Sequence, residues 1–182
     1  MIIGITGTNG SGKGTVVGYL VTKGFKHYSA RAFIVAEIQR RGLSVDRTSM
    51  REVANDLRKT QRPTIIAEAL YEQAMASGGN AVIESIREIA SAEFLKKHGG
   101  VLIAVDADRN IRYERIVARS SETDKVDFDT WVKEEEREWG NASAWDMDVV
   151  GVMKLADFTL HNDGTLDELH AQIDEVLKKI TK

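Results

Sequence analysis

The 182-residue sequence contains no cysteine and only one proline. Without cysteine the chain has no disulfide, no thiolate zinc site and no cysteine nucleophile. Its four histidines are the only imidazoles, and none of them pair at the spacing of a metal site. A single proline indicates few rigid irregular loops, so helices are expected to dominate.

Long apolar runs and an excess of positive charge are missing as well. The longest uncharged run, Met1–Gly12, is shorter than the roughly 20 residues of a membrane span, and the first residues lack the basic start of a signal peptide. Lysine and arginine number 25 against 28 acidic residues, a net charge of −3, which argues against a broad nucleic-acid surface. We therefore expect a cytoplasmic monomer or homodimer that binds neither membrane nor nucleic acid.

The length and a hydrophobic content of 42% fit one domain with a sizeable core. Short aliphatic runs, which predict strands, alternate with segments of helical periodicity. The five predicted strands are Met1–Thr6, Phe25–Ser29, Ala81–Glu84, Val101–Asp106 and Asp157–Leu160. The last helix is expected to begin at Thr165, whose hydroxyl forms a capping box with Glu168. This alternation predicts a three-layer α/β/α fold around a five-stranded parallel sheet.

Glycine is near average at 15 residues, yet six glycines fall within the first 18 positions. The segment Gly7–Thr15 follows the first strand, opens a helix and matches the phosphate-loop pattern Gly-x-x-x-x-Gly-Lys. Glycines let backbone N–H groups surround a phosphate, and the helix N-terminus adds partial positive charge. We therefore predict a site for ATP and Mg²⁺, with Lys13 reaching the β- and γ-oxygens. The predicted cofactor contacts in the loop are Gly7, Thr8, Asn9, Gly10, Ser11, Gly12, Lys13, Gly14 and Thr15.

A phosphate loop alone does not decide between GTPases, AAA-type ATPases and kinases. The Asn-Lys-x-Asp sequence typical of GTPases is absent. AAA-type machines usually have a longer chain and an Asp-Glu pair at a strand end, which neither Glu84-Ser85 nor Asp106-Ala107 provides. Elimination favours an ATP-dependent kinase.

The sequence resembles the P-loop small-molecule kinases of the nucleoside monophosphate kinase and dephospho-CoA kinase group. Glycine after Lys13 is similar to the adenylate kinase version of the loop, and Glu84–Arg87 stands where that family has a strand-end acid followed by an arginine. The segment Ala156–Thr165 resembles the last strand and purine-side loop of dephospho-CoA kinases. That likeness implies nucleotide contacts for Asn162 and Gly164.

The resemblance also implies roles for four arginines. Arg112, Arg115 and Arg119 lie on one helical face, where they would lead into a mobile lid. Arg112 would contact the nucleotide, and the other two would clamp the transferring oxygens. Arg87, after a strand end, would bind the acceptor phosphate. Without the kinase context, the helical arginines are better explained as a solvated face paired with Glu114 or Glu122.

Two strand-end acids, Glu84 and Asp106, compete for one role near Mg²⁺. We favour Glu84 because Arg87 is close to it in sequence, and the Thr15 hydroxyl completes the predicted metal set. The residues predicted to act in catalysis are Lys13, Glu84, Arg87, Arg115 and Arg119.

The single domain is expected to consist of a core, a helical acceptor-binding flap and a short lid. The core covers about 1–32, 78–119 and 141–182, the flap about 33–77 and the lid about 120–140. Acceptor binding is assigned to Arg31 and Arg58 together with Arg87. In the acidic lid region, Glu134–Glu136 is expected to be a solvated helix face, and the tryptophans are expected to pack rather than stack on a base.

The predicted reaction is transfer of the γ-phosphoryl group of ATP to a small acceptor that carries a phosphate, with a nucleoside monophosphate as first choice. Closure of flap and lid would exclude water from the reaction. Two alternatives stay open: a dephospho-CoA kinase with a ribose hydroxyl as acceptor, and a nucleotide-gated ATPase or binding module.

Overall fold

The computed structural model describes residues 1–119, 127–136, 139 and 145–181. The strands are β1 (Ile2–Gly7), β2 (Lys26–Ser29), β3 (Ala81–Glu84), β4 (Val101–Asp106) and β5 (Phe158–His161). The helices are α1 (Lys13–Thr22), α2 (Ala30–Arg40), α3 (Arg47–Thr60), α4 (Ile65–Ser77), α5 (Ile89–Lys97), α6 (Arg109–Arg119), α7 (Phe128–Glu136), α8 (Val149–Lys154) and α9 (Leu166–Ile180). No helix in these ranges combines the length and apolar character needed to cross a membrane.

The five strands form one parallel sheet in the order β2-β3-β1-β4-β5. All six residues of β1 are buried, as expected for the central strand of a covered parallel sheet. The predicted three-layer α/β/α fold is confirmed. Because β1 lies in the middle, the loop that follows it emerges between the carboxyl ends of β3 and β4.

Two apolar clusters cover the two faces of the sheet. Ile3 and Ile5 of β1 pack in one cluster with α1 and α9. Ile2 lies in the other cluster, with residues of α2, α3, α4, α5 and α8. Gly4 faces α5, where an added Cβ would overlap the Leu95 side chain. The alternation of side chains along β1 thus places α1 and α9 in one layer and α2, α3, α4, α5 and α8 in the other.

The ends of the elements follow local side-chain chemistry. The predicted capping box of α9 is present, with Thr165 and Glu168 each bonding the other's backbone N–H. Strand β5 begins one residue later than predicted. Asp157 N donates to Leu102 O at 2.8 Å, and the Asp157 carboxylate accepts from Leu102 N at 2.9 Å, so a side chain supplies the acceptor at this end of the strand pair.

The predicted flap region contains α2, α3 and α4. Arg41 in the turn after α2 bonds Asp56 of α3 at 2.7 Å. Arg58 of α3 forms a buried ion pair with Glu88, the residue that precedes α5. These contacts join the helices of this region to each other and to the sheet-covering layer.

Candidate active site

The phosphate loop ends in a left-handed residue, Gly12, with φ of 98°. This residue is the N-cap of α1 and offers no side chain to the first helical N–H groups, and the first turn contains no acid. No side-chain cap or acid therefore covers the positive end of the helix dipole, which can stabilise an anion bound at the loop.

Gly12 is also needed because another segment lies close to it. An added Cβ would overlap Nδ2 of Asn162, the residue directly after β5. The same amide donates to Ser11 O at 2.9 Å, and Asn162 is buried. Asn162, predicted to contact the nucleotide, therefore holds the loop against the end of β5.

Lys13 lies at the first position of α1, and its ammonium turns back to the start of the loop. The Nζ atom donates to Gly7 O at 2.9 Å and to Thr8 O at 2.7 Å. The positive charge is thus held beside the loop backbone, as the phosphate-binding prediction requires.

A cleft of about 730 Å³ opens over the loop and the neighbouring strand ends. Its lining contains all five residues predicted to act in catalysis. The lining residues are Asn9, Gly10, Gly12, Lys13, Gly14, Thr15, Glu84, Arg87, Arg115, Ala118 and Arg119. The fold therefore brings together groups separated by up to about a hundred residues in sequence.

Glu84 ends β3 between two neighbouring strands, opposite Ile5 of β1 and Ser29 of β2. Its Oε1 accepts from Ser29 Oγ at 2.7 Å, its Oε2 lies 3.4 Å from His27 Nε2, and its side chain is 20% exposed. The next residue, Ser85, has φ of 65°, a conformation that non-glycine residues rarely adopt. The chain therefore turns sharply after Glu84, and both Glu84 and Arg87 line the cleft.

Asp106, the competing strand-end acid, does not line the cleft. Its Oδ1 accepts from the adjacent Ala107 N at 2.9 Å. Of the two acids, only Glu84 shares the cleft with Lys13.

Two arginines of α6 border the loop side of the cleft. Arg115 Nη2 donates to Asn162 O at 2.9 Å, while its buried Nη1 has no hydrogen-bond partner among the described residues. Arg119 Nη2 contacts Asn9 Oδ1 at 3.4 Å. Arg115 therefore lines the cleft and carries a buried guanidinium nitrogen whose hydrogen-bonding capacity is not satisfied by the described residues.

Arg112 differs from these two because protein groups surround its guanidinium. It is buried, donates to Ala107 O and Asn9 O at 3.0 and 3.3 Å, and forms a two-pronged ion pair with Glu135 of α7. It does not line the cleft. Instead of a nucleotide contact, the structure shows a side chain that joins the phosphate loop to α7.

The expectation of a solvated acidic face on α7 is wrong at Glu135, which is buried against Arg112. Trp131, on the same helix, is 3% exposed and lies 5.2 Å from the Arg112 guanidinium. Packing is thus confirmed for Trp131, and the buried acid neutralises a buried arginine.

Six other predicted contacts are absent from the cleft lining: Gly7, Thr8 and Ser11 of the loop, which are buried, and Arg31, Arg58 and Gly164. Arg58 is buried in its ion pair with Glu88, and Arg31 is exposed in the first turn of α2. Gly164 precedes α9 beside the Glu168 carboxylate. About half of the predicted lid, namely 120–126, 137–138 and 140, lies outside the described residues.

Sequence reasoning did not single out Ser29 and His27 as neighbours of Glu84. A signal was available, because β2 and β3 both end in polar residues and parallel strand ends meet at one edge. The partnership of Arg112 with Glu135 had no such signal, since 23 residues separate them.

A central phosphate loop, a lysine at the helix start and a cleft at the carboxyl edge of a parallel sheet define a P-loop kinase-like fold. The chain belongs to the AAA_18 family, described as an AAA domain, whose family model matches residues 3–140. The short chain and the missing Asp-Glu pair, which distinguish it from AAA-type machines, therefore do not exclude it from the AAA domain family.

Similar proteins cover nearly the whole chain. The UPF0200 protein PAE1629 of Pyrobaculum aerophilum is 30% identical over 182 residues, covering 98% of both chains. The crystal structure of TT1252 from Thermus thermophilus has a TM-score of 0.65 at 23% identity, covering 100% of this chain and 98% of that one. Shikimate kinase from Acinetobacter baumannii, in complex with shikimate, has a TM-score of 0.61 at 16% identity, covering 99% and 92%. These likenesses support the kinase-like fold and leave the acceptor open.

Proposed function

We propose that the chain transfers the γ-phosphoryl group of Mg-ATP to a small phosphate-bearing acceptor, a nucleoside monophosphate by first choice. The observation that carries this proposal is the single cleft lined by the phosphate loop, Glu84, Arg87, Arg115 and Arg119. Cationic groups from three different elements face one space there. Such a space suits two polyphosphate or phosphate groups better than one neutral metabolite.

The donor nucleotide would bind on the loop side of the cleft. Its phosphates would bind at the start of α1, which has no side-chain cap, and exchange the carbonyl contacts of the Lys13 ammonium for phosphate oxygens. The unsatisfied Nη1 of Arg115 would gain a charged partner. Arg115 and Arg119 are thus placed to stabilise charge on the transferring group, which is the main demand of phosphoryl transfer.

The residues present fit Mg²⁺ that arrives with the nucleotide. Mg²⁺ usually binds one or two carboxylates together with substrate phosphates and water. Among the described residues, no three potential protein ligands converge to form a site of their own. Thr15 and Glu84 line the cleft and would hold the ion, which supplies neutralisation of phosphate charge when bound.

The acceptor side is assigned to Arg87, which lines the cleft together with Glu84. A monophosphate oxygen needs no general base near neutral pH, because the second phosphate pKa is about 6. Glu84 is then left to serve the metal. A ribose hydroxyl, as in the dephospho-CoA alternative, would instead require Glu84 to accept a proton.

The assignment of Arg87 is tested by Arg87→Ala, with Arg40→Ala as a matched control. Arg40 is largely exposed and pairs with Glu37 on α2. We expect the R87A variant to raise the acceptor KM by roughly tenfold or more, because a charge-assisted bond is lost, and to bind ATP like the wild type. Loss of ATP binding in R87A, or an equal effect in R40A, would contradict the assigned role.

A second function, a nucleotide-gated ATPase, is favoured by the family description as an AAA domain. In that case the same loop would bind and slowly hydrolyse ATP without an acceptor. The two functions differ in the fate of the γ-phosphate, which is measurable without knowing the acceptor in advance.

A further inference from the structure

We propose that Ser29 is a positioning residue for Glu84 and that it connects this carboxylate to the first helix of the flap region. The inference rests on the proposed function, in which Glu84 helps to hold Mg²⁺ with the nucleotide. Ser29 does not line the cleft itself, so its effect would act through Glu84.

The parallel register brings the two residues together. Ser29 and Glu84 are direct partners at the carboxyl ends of β2 and β3. Ser29 Oγ lies 2.7 Å from Glu84 Oε1, a good hydrogen-bond distance for a hydroxyl and a carboxylate. His27, two residues earlier on β2, has Nε2 at 3.4 Å from the other oxygen. Both oxygens of Glu84 therefore face a side chain of β2.

The second contact of Ser29 fixes the direction of this hydrogen bond. Ser29 is the N-cap of α2, and its Oγ accepts from Ala32 N at 3.3 Å. A hydroxyl has only one proton, so with the helix N–H as donor to Oγ, that proton is directed to Glu84. The result is a chain of hydrogen bonds from the helix N–H through the hydroxyl to the carboxylate.

This chain has two physical consequences. Each bond polarises the next, and the positive end of α2 stabilises negative charge at Glu84. It also makes the orientation of Glu84 depend on the first turn of α2, which leads into the predicted flap. A shift of α2 would weaken the bond and release the carboxylate from its position over the cleft.

The proposal is tested by a double-mutant cycle between Ser29→Ala and Glu84→Gln. Binding of Mn²⁺ in the presence of ATP, measured by electron paramagnetic resonance, reports the metal directly, and kcat is measured where transfer is detected. We expect S29A to weaken Mn²⁺ binding roughly tenfold, as loss of an orienting partner of a metal ligand usually does. In the E84Q background, S29A should change the affinity very little, because the carboxylate it orients is gone.

Two further variants separate orientation from helix capping. Ser29→Thr keeps the hydroxyl and should restore Mn²⁺ binding to near the wild-type value. Asp46→Ala removes the side-chain cap of α3, where Asp46 Oδ1 accepts from Ser49 N at 2.9 Å, and should lower the melting temperature without changing Mn²⁺ binding. If S29A unfolds, Ser29→Gly takes its place, because glycine is tolerated as an N-cap.

The outcomes decide the proposal in either direction. Wild-type Mn²⁺ affinity in S29A or S29G, an additive cycle with E84Q, or failure of S29T to restore binding would each overturn it. If the wild type labels no acceptor at all, the proposed kinase function fails, while the Mn²⁺ measurements still decide the role of Ser29.

Discussion

At the scale of single residues, two glycines of the phosphate loop have opposite surroundings. Gly12 has φ of 98° and lies against Asn162, so an added Cβ is both strained and obstructed. Gly14, two residues later, has no atom within 4 Å of an added Cβ. The loop therefore requires glycine at the first position for its shape, and the second position is sterically free.

This contrast predicts different results for two identical substitutions. We expect Gly12→Ala to weaken ATP binding by at least tenfold and to lower the melting temperature, because both the loop and its contact with Asn162 must shift. Gly14→Ala should keep ATP binding within about twofold and leave or slightly raise stability, because alanine has a higher helix propensity than glycine. Calorimetric titration with ATP measures the affinity of both variants, and thermal unfolding measures their stability. Equal losses of ATP affinity in G12A and G14A would contradict the steric account.

Residues with local signals were predictable, and residues defined by distant partners were not. The loop pattern around Lys13 and the strand end at Glu84 identified groups that the fold brings into one cleft. The same reasoning assigned Arg112 to the nucleotide because its spacing matches Arg115. Its buried partner Glu135 comes from α7, and helical spacing cannot show which arginine of a row faces another element.

At the scale of elements, helix α7 is attached to α6 through a small polar and aromatic contact. Arg112 and Glu135 form the buried ion pair of this contact. The rings of Tyr113, Phe128 and Trp131 pack against one another at centroid distances of 5.1 to 5.8 Å. Because Arg112 also bonds Asn9 O, the position of α7 is coupled to the phosphate loop.

Removing the acid of this pair should release α7. We expect Glu135→Ala to lower the free energy of unfolding by about 3 kcal/mol, because a buried arginine loses its counter-charge, and to expose Trp131. Glu136→Ala, at an exposed position of the same helix, is the matched control. Thermal unfolding and the emission wavelength of Trp131, with the other two tryptophans replaced by phenylalanine, provide the measurements. If the emission maximum of Trp131 in E135A is unchanged or shifted to shorter wavelength, the docked position of α7 is contradicted.

The contact between α2 and α3 depends on the ionised carboxylate of Glu37, a residue of α2. Hydrogen bonds from Arg40 and Arg41 lower the pKa of Glu37 from its ordinary value of 4.5 to about 2, and Arg41 also bonds Asp56 of α3. A depressed carboxyl pKa contributes stability that is complete above about pH 4.5 and is lost as the pH falls through about 2.

We therefore expect amide exchange in the last turn of α2 to accelerate as the pH is lowered from 4.5 toward 2, after correction for the intrinsic exchange rate. The Glu37→Gln variant should have faster exchange above pH 4.5 and lose this pH dependence. NMR titration of the Glu37 carboxyl carbon supplies the pKa. A midpoint near 4.5 would show that the two arginines do not hold the carboxylate.

At the scale of the whole molecule, the sequence predicted the three layers and the parallel sheet. It did not predict which side chains contact each other between the helices and strands. Alternating aliphatic runs and helical periods are sufficient for a covered parallel sheet. The ion pair of Arg58 with Glu88 and the contact of Ser29 with Glu84 depend on how helices and strands meet in three dimensions. The first contact joins the flap region to the start of α5 and could be recognised only in the folded chain. The second joins the start of α2 to the cleft, and only the matching polar strand ends gave a signal for it.

The central claim is that the cleft transfers phosphate to an acceptor rather than to water. Its most direct test follows the label of γ-labelled ATP in the wild type, with Lys13→Ala as the inactive reference and a panel of nucleoside monophosphates and dephospho-CoA as acceptors. We predict that label appears in one acceptor faster than in inorganic phosphate, and that K13A abolishes both. Slow release of inorganic phosphate with no labelled acceptor would contradict the claim and favour the nucleotide-gated ATPase.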